Sequence, residues 1–304
     1  MSKIDHTQRI NDQLAEQITQ LIEGVNSEDF TLPFASLAVR PYNVATGHRA
    51  TGANALIAML KGSAFYSTFK GWQKLGYQVK SKADFYIARP RRVKTGEEVN
   101  ESTGDIESQY GVFGFTTDAV WDFNSVRNNV IEGFENPWTP PVIDQVDETE
   151  RNDRVDQYLA NVGASLTYTG EGRAFYNPGN DQIVMPERSL FSATKTSTAT
   201  ECFYSTLLHE HVHWTGHKSR NDRLDSKNKR GYAFEELIAE IGAAMLCIDL
   251  GVSSEIRADH LQYLKGWLKA LDDDKAFIKD AAIQAQKAVD YLDSLQSKTQ
   301  QAAA

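Results

Sequence analysis

His209, Glu210 and His213 stand in the spacing His-Glu-x-x-His, and four of the chain's seven histidines fall between positions 209 and 217. Residues four apart share a helix face, so His209 and His213 can aim imidazole nitrogens at one point. Glu210 projects towards a water held at that point and is placed to act as its general base. A zinc ion there would bring the pKa of such a water to about 7. The chemistry implied is hydrolysis at a carbonyl, with Glu210 carrying the proton from the water to the leaving amine.

A hydrolytic zinc site takes three protein ligands and keeps one open position, so a third ligand is needed. The extended pattern HExxHxxGxxH is incomplete here, because Gly216 fits its glycine but Ser219 stands where its last histidine belongs. A later helix containing Glu235 to Glu240 offers carboxylates instead. Glu236 and Glu240 are four apart, beside an apolar stripe of Leu237, Ile241, Ala244 and Ile248. Glu236 is the candidate third ligand for one zinc or other divalent ion. Glu240 is the candidate acceptor that would orient a ligand imidazole. Glu235 lies about 100° around the helix and is less well placed. His211 and His217 read as packing and loop residues, and Tyr232, one turn before Glu236, as a candidate oxyanion donor.

The elements that must position these groups are legible from periodicity. Helices are expected over residues 8–24, 54–60, 66–75, 148–162, 198–214, 234–250, 259–271 and 275–295. Strands are expected over 84–88, 112–115 and 119–123, then a hairpin around 166–168 and 173–176, and a strand over 181–185. The last could run along the cleft and accept an extended peptide by β-addition. Pro137, Pro140, Pro141 and the acidic run from Asp144 to Glu150 suggest a linker over 132–150. It would separate a domain of residues 1–131, helices followed by a small antiparallel sheet, from a domain of residues 151–304. The tail from Gln296 to Ala304 has little to bury.

Composition bounds the class. Hydrophobic content of 41% and charged content of 24% are those of a soluble globular chain, and no apolar run approaches a membrane span. Two cysteines and a start without a basic-then-apolar leader suggest a reducing, cytoplasmic setting. Net charge is −9, which by itself disfavours nucleic acid, yet between Phe34 and Lys94 eleven basic residues meet a single acid, Asp84. Nine aromatics, from Phe34 to Tyr86 and including Trp72, are interleaved with them. Cations along a phosphate backbone with aromatic faces for the bases suit a single strand better than a duplex. The candidate contacts are Arg40, Arg49, Lys70, Trp72, Lys80, Lys82, Arg89, Arg91, Arg92 and Lys94.

These blocks together resemble the ArdC-type antirestriction proteins and the related N-terminal region of TraC-type plasmid primases. The resemblance rests on Arg173 to Tyr176, Asp181 to Pro186, His209 to His217 and Glu235 to Glu240 in that order, with Tyr263 to Leu268 and Ala285 to Ala288 beyond. Nearer the N-terminus it rests on Pro41, Asn43, Thr46, Gly47, Gly52, Asn54, Phe69, Gly76, Val79 and Lys80. Ala50 and Thr51 depart from that pattern. The resemblance implies an α+β chain with an N-terminal domain for single-stranded DNA and a C-terminal zincin-like metallopeptidase domain. It implies His209, His213 and Glu236 as ligands with Glu210 as base, and protection of incoming plasmid or phage DNA from host restriction. Two other classes fit the same residues: a dedicated metallopeptidase acting on a regulatory protein, and a single-strand binder whose metal is only structural.

Overall fold

The structure, a computed structural model, describes residues 5–24, 33–34, 37–99, 106–143, 147–194, 197–224, 230–252, 274 and 276–296. It is an α+β arrangement built around two sheets. Helix α1 (His6–Gly24) buries Ile10, Leu14, Ile18 and Leu21 and packs on α2 (Gly52–Leu60). Strands β1 (Tyr42–Asn43), β2 (His48–Arg49), β3 (Phe65–Thr68), β4 (Phe85–Val99) and β5 (Ile106–Asp122) form one sheet in the order β2-β1-β3-β5-β4. Its pairs are antiparallel except β1 with β3.

Two expectations change here. The helix expected over 66–75 is split, because Phe65 to Thr68 is an aromatic and β-branched run that pairs with β5. Thr68 then caps the short α3 (Phe69–Lys74), accepting from the Gly71 N–H at 3.2 Å. The three strands expected between 84 and 123 are two long ones. Pro90 sits on the sheet's edge strand, where a missing N–H breaks no ladder, and shifts of register after Pro90 and Lys94 absorb the irregularity.

The outer edge of β4 is closed by two side-chain amides. Gln13 donates to the Tyr86 carbonyl at 2.9 Å and accepts from the Tyr86 N–H at 2.8 Å. Asn54 does the same at Ala88, with both distances 2.8 Å. Beyond Ala88 the hairpin runs on, and Tyr110, Val112, Phe113 and Phe115 stand more than half exposed on β5.

After α4 (Phe123–Val126) the chain returns over this half of the molecule. Ile131 donates to the Gly76 carbonyl at 2.9 Å, Trp138 to the Leu75 carbonyl at 3.0 Å, and the Tyr77 hydroxyl to the Trp138 carbonyl at 2.7 Å. Gly76 has φ of 93°, and a Cβ there would lie 2.5 Å from the Phe134 ring. The first half of the expected linker is thus packed structure, because its aromatics complete a cluster of Trp72, Tyr77, Phe123 and Trp138.

Helix α5 (Glu148–Val162) leads to β6 (Ser165–Thr169), β7 (Phe175–Asn177) and β8 (Gln182–Pro186), in the order β6-β8-β7. The expected hairpin does not form. Instead β8 lies between the other two, parallel to β6 and antiparallel to β7. Both edges of β8 are taken, so no peptide can add along it. Helices α6 (Ala199–Thr215), α7 (Gly231–Leu250) and α8 (Phe277–Ser294) follow, and α8 packs on α7, α6, α2 and α1. One apolar core therefore runs continuously through both halves of the chain. The helix expected over 259–271, the block Tyr263 to Leu268, residues 144–146 of the acidic run and the tail from 297 lie outside the described residues.

Candidate metal centre and nucleic-acid surface

Helix α6 begins with a reciprocal cap. The Thr198 hydroxyl accepts from the Glu201 N–H, and the Glu201 carboxylate accepts from the Thr198 N–H. Leu208 and Val212 are wholly buried, which fixes the rotation of α6 and turns His209 and His213 towards α7. The two helices approach closely at Gly242, where a Cβ would meet the Val212 side chain at 2.9 Å.

Across that contact the candidate ligands converge. His209 Nε2 and His213 Nε2 are 3.1 Å apart, Glu236 Oε1 is 3.4 Å from the latter, and Glu236 Oε2 is 3.6 Å from the former. Ligand atoms held about 2.0–2.1 Å from one tetrahedral ion lie roughly 3.3 Å from one another, so the spacing fits a metal of zinc's size. Among the described residues this is the cluster of histidine and carboxylate side chains with metal-holding geometry. Burial pushes the Glu236 carboxyl up, but hydrogen bonds from both imidazoles outweigh it and hold the group below the usual carboxylate range. Burial would lower His213, and Glu235 and Glu236 instead raise it. Glu210, Glu235 and Glu236 are all buried here. With Glu240 they gather four carboxylates around two imidazoles and one guanidinium, a balance suited to a divalent cation.

Each imidazole is also held from behind. Glu240 Oε1 is 3.5 Å from His209 Nδ1, where the spacing argument placed an orienting carboxylate. Glu235, less well placed by that argument, accepts from His213 Nδ1 at 3.1 Å. Arg223 grips the same carboxylate at 2.9 and 3.0 Å, and donates to Thr215 Oγ1 and to the Val212 carbonyl. The adjacent pair Glu235-Glu236 thus serves both nitrogens of one ring. Arg223 carried no signal in the sequence, because its role depends on the loop after α6 folding back. Arg220 pins that loop, lying 3.7 Å over the Trp214 ring and pairing with Asp181, which Tyr176 also contacts. Glu235→Ala is expected to lower metal affinity about 10–100-fold, since it frees His213 to rotate; a chelator competition titration measures it.

The other two histidines of the 209–217 cluster are where the sequence puts them. His211 is buried, donates Nδ1–H to the Leu207 carbonyl at 2.7 Å, and is pulled down by burial to about 4. His217 meets Ser219 at 2.8 Å in the loop. Tyr232 is exposed in the first turn of α7.

The candidate DNA contacts divide. Arg40 is buried and pairs with Asp249 of α7 at 2.7 Å, so it is a structural cation and not a surface one. Trp72 is wholly buried, its indole N–H donating to the Trp121 carbonyl at 2.8 Å, and has no face for a base. Phe34, Tyr66, Tyr77 and Phe85 are likewise core, Tyr42, Phe65 and Tyr86 are part-buried, and Phe69 is exposed beside Lys70. Arg49, Lys70, Lys80, Lys82, Arg89, Arg91, Arg92 and Lys94 are exposed, the last four on β4. Arg89 pairs with Asp118 at 2.6 Å and Lys94 with Glu97. The aromatics that face solvent beside the β4 cations are on β5, where Tyr110 opposes Lys94 and Phe115 opposes Pro90. The sequence placed Phe115 in an expected strand and gave Tyr110 no role.

Comparison with known proteins now bears on both regions. A family model described as the N-terminal domain of anti-restriction factor ArdC matches residues 5–113, and one described as a zincin-like metallopeptidase matches residues 153–284. Protein y4eC of Sinorhizobium fredii (strain NBRC 101917 / NGR234) is 30% identical over 308 residues, covering 96% of this chain and 94% of that one. DNA primase TraC of Escherichia coli is 30% identical over 267 residues, covering 86% of this chain but only 18% of the primase. The crystal structure of the antirestriction protein ArdC from plasmid R388 in its metal-free form is 31% identical, with a TM-score of 0.65, covering 93% of this chain and 97% of that one. Its Mn(II)-bound form is 29% identical, with a TM-score of 0.67, covering 97% and 99%.

Proposed function

The chain belongs to the ArdC family of antirestriction proteins, and from that premise we propose that it binds single-stranded DNA through its N-terminal half and holds one Zn²⁺ at His209, His213 and Glu236. In that role it protects incoming plasmid or phage DNA from restriction in the cytoplasm. No helix among the described residues is long and apolar enough to cross a membrane.

The observation that carries the DNA reading is the projecting hairpin. It sets Arg89, Arg91, Arg92 and Lys94 beside exposed Tyr110, Phe113 and Phe115, which is the pairing of cations with stacking faces that a single strand requires. Stacking contributes about 1–3 kcal/mol per base and tolerates any sequence. The test is anisotropy with labelled dT20 over a series of salt concentrations. Wild type is expected to bind with a steep salt dependence, and Arg91→Glu with Arg92→Glu to weaken it and flatten the slope by about 0.7 per lost phosphate contact. A flat salt response in the wild type would remove the DNA reading.

The metal reading rests on the convergence of the three ligand atoms. A bound zinc ion supplies Lewis acidity and an acidified water. The chain's own groups do the rest. Glu210, buried on the helix between the two histidines, is the base that takes a proton from water and passes it to a leaving amine. Glu235 and Glu240 keep the two Nε2 atoms aimed at one point.

A further inference from the structure

A cleft of about 530 Å³ opens in the N-terminal half between the β1–β2 turn, the start of α2, α3 and the stretch of β4 from Ile87 to Pro90. Its volume lies in the range of sites that enclose a small ligand, within the roughly 300–1,000 Å³ usual for them. We infer that this cleft takes one phosphorylated nucleotide, its phosphate against Lys70 and Lys74 and its ring against Ile87, Ala88 and Pro90. The inference deepens the single-strand reading and rests on it for the source of the nucleotide.

The charge arrangement points to an anion. Lys70 and Lys74 are one turn apart on α3, exposed, and neither has a carboxylate partner among the described residues. Like charges at this spacing repel, and an anion between them removes the repulsion. Asp118 is the single acid lining the cleft, and Arg89 engages it at 2.6 Å. Arg49 reaches the cleft as well, with its guanidinium half exposed and Asp249 no nearer than 3.6 Å. The net lining is positive on one side only.

The opposite wall is mainly apolar, and its one cation, Arg89, is engaged through Nε by Asp118. The Ala88 N–H and carbonyl are both bonded to the Asn54 amide, and Pro90 has no N–H. Such a wall accepts a flat ring without reading its edge, so the four bases are expected to bind alike. The wall is also continuous with the rest of β4. A strand with one nucleotide in the cleft would carry its neighbouring phosphates directly onto Arg91, Arg92 and Lys94.

The test uses the full chain, with dT20 and dTMP as probes and thymidine as the control lacking phosphate. Wild type is expected to bind dTMP and to release labelled dT20 when dTMP is added, while thymidine does neither. Lys70→Glu with Lys74→Glu, both surface positions, is expected to weaken both probes at least tenfold. Thr51→Trp fills the cleft from an N-cap residue whose side chain makes no cap bond, and should abolish dTMP binding. The inference is overturned if both variants, folded by circular dichroism, bind dT20 like the wild type and dTMP binds none of the three; the single-strand reading then survives alone. Binding of dTMP without dT20 would leave the cleft assignment standing and remove the strand as the source. Binding of neither would remove both.

Discussion

Arg40→Ala is expected to destabilise the fold by about 3–5 kcal/mol while leaving the affinity of the remaining folded protein for single-stranded DNA nearly unchanged. The guanidinium is buried, bonded to Asp249 at 2.7 and 2.8 Å, with Asp293 at 3.8 Å. Removing it leaves the Asp249 carboxylate with only the half-exposed Arg49, at 3.6 Å, to oppose its charge. Burial already raises that carboxyl, and Arg40 is the foremost group opposing the rise. Without Arg40 the folded-state pKa climbs further above the unfolded value of about 3.9. The penalty is therefore full at neutral pH and fades as pH falls towards that value, below which both states are protonated. Urea unfolding at pH 7 and pH 4.5 measures the difference. Arg40→Met with Asp249→Leu should recover most of the loss, because it removes the stranded charge as well. An Arg40→Ala protein of wild-type stability and weakened DNA binding would mean that this side chain faces the strand after all.

Glu210→Gln is expected to lower hydrolysis of labelled casein by about 10²–10⁴-fold while leaving one zinc per chain. The substitution preserves shape and removes the basic oxygen, and Glu210 is not among the three converging ligand groups. Loss of the metal with the activity would make Glu210 a ligand and overturn the assignment of base. A wild type that cleaves nothing would assign the metal a structural role. If Glu210→Gln still protects DNA from restriction in cells, then proteolysis is not how protection works.

Local geometry explains what was legible in the sequence. The convergence of His209, His213 and Glu236 was readable because helical spacing alone fixes which residues share a face, and α5, α6 and α7 begin and end close to where their periodicity and caps put them. Arg223 and the second function of the Glu235-Glu236 pair were not, because a loop twelve residues away in sequence must return to the helix. The parallel pairing of β6 with β8 was missed for the same reason, since a hairpin is the shorter connection and only three-dimensional packing rejects it. Composition misled in the N-terminal half. A stretch rich in cations and aromatics spends Trp72, Tyr77 and Phe85 on its core and Arg40 on an ion pair, while, Phe69 apart, the exposed rings of this half come from β5 and the loop after it.

The amide caps on β4 have a consequence for how this protein can be handled. Gln13 and Asn54 seal the sheet margin only as far as Ala88, and past that point Arg91, Arg92 and Lys94 line a margin flanked by exposed Val93, Val112 and Phe113. Lysine and arginine on such a margin keep neighbouring molecules from zipping onto it. Alanine in their place would strip away mutual repulsion together with affinity for DNA, and invite polymerisation through the hairpin. Acidic replacements retain the repulsion, so any loss they cause reports on the strand rather than on precipitation.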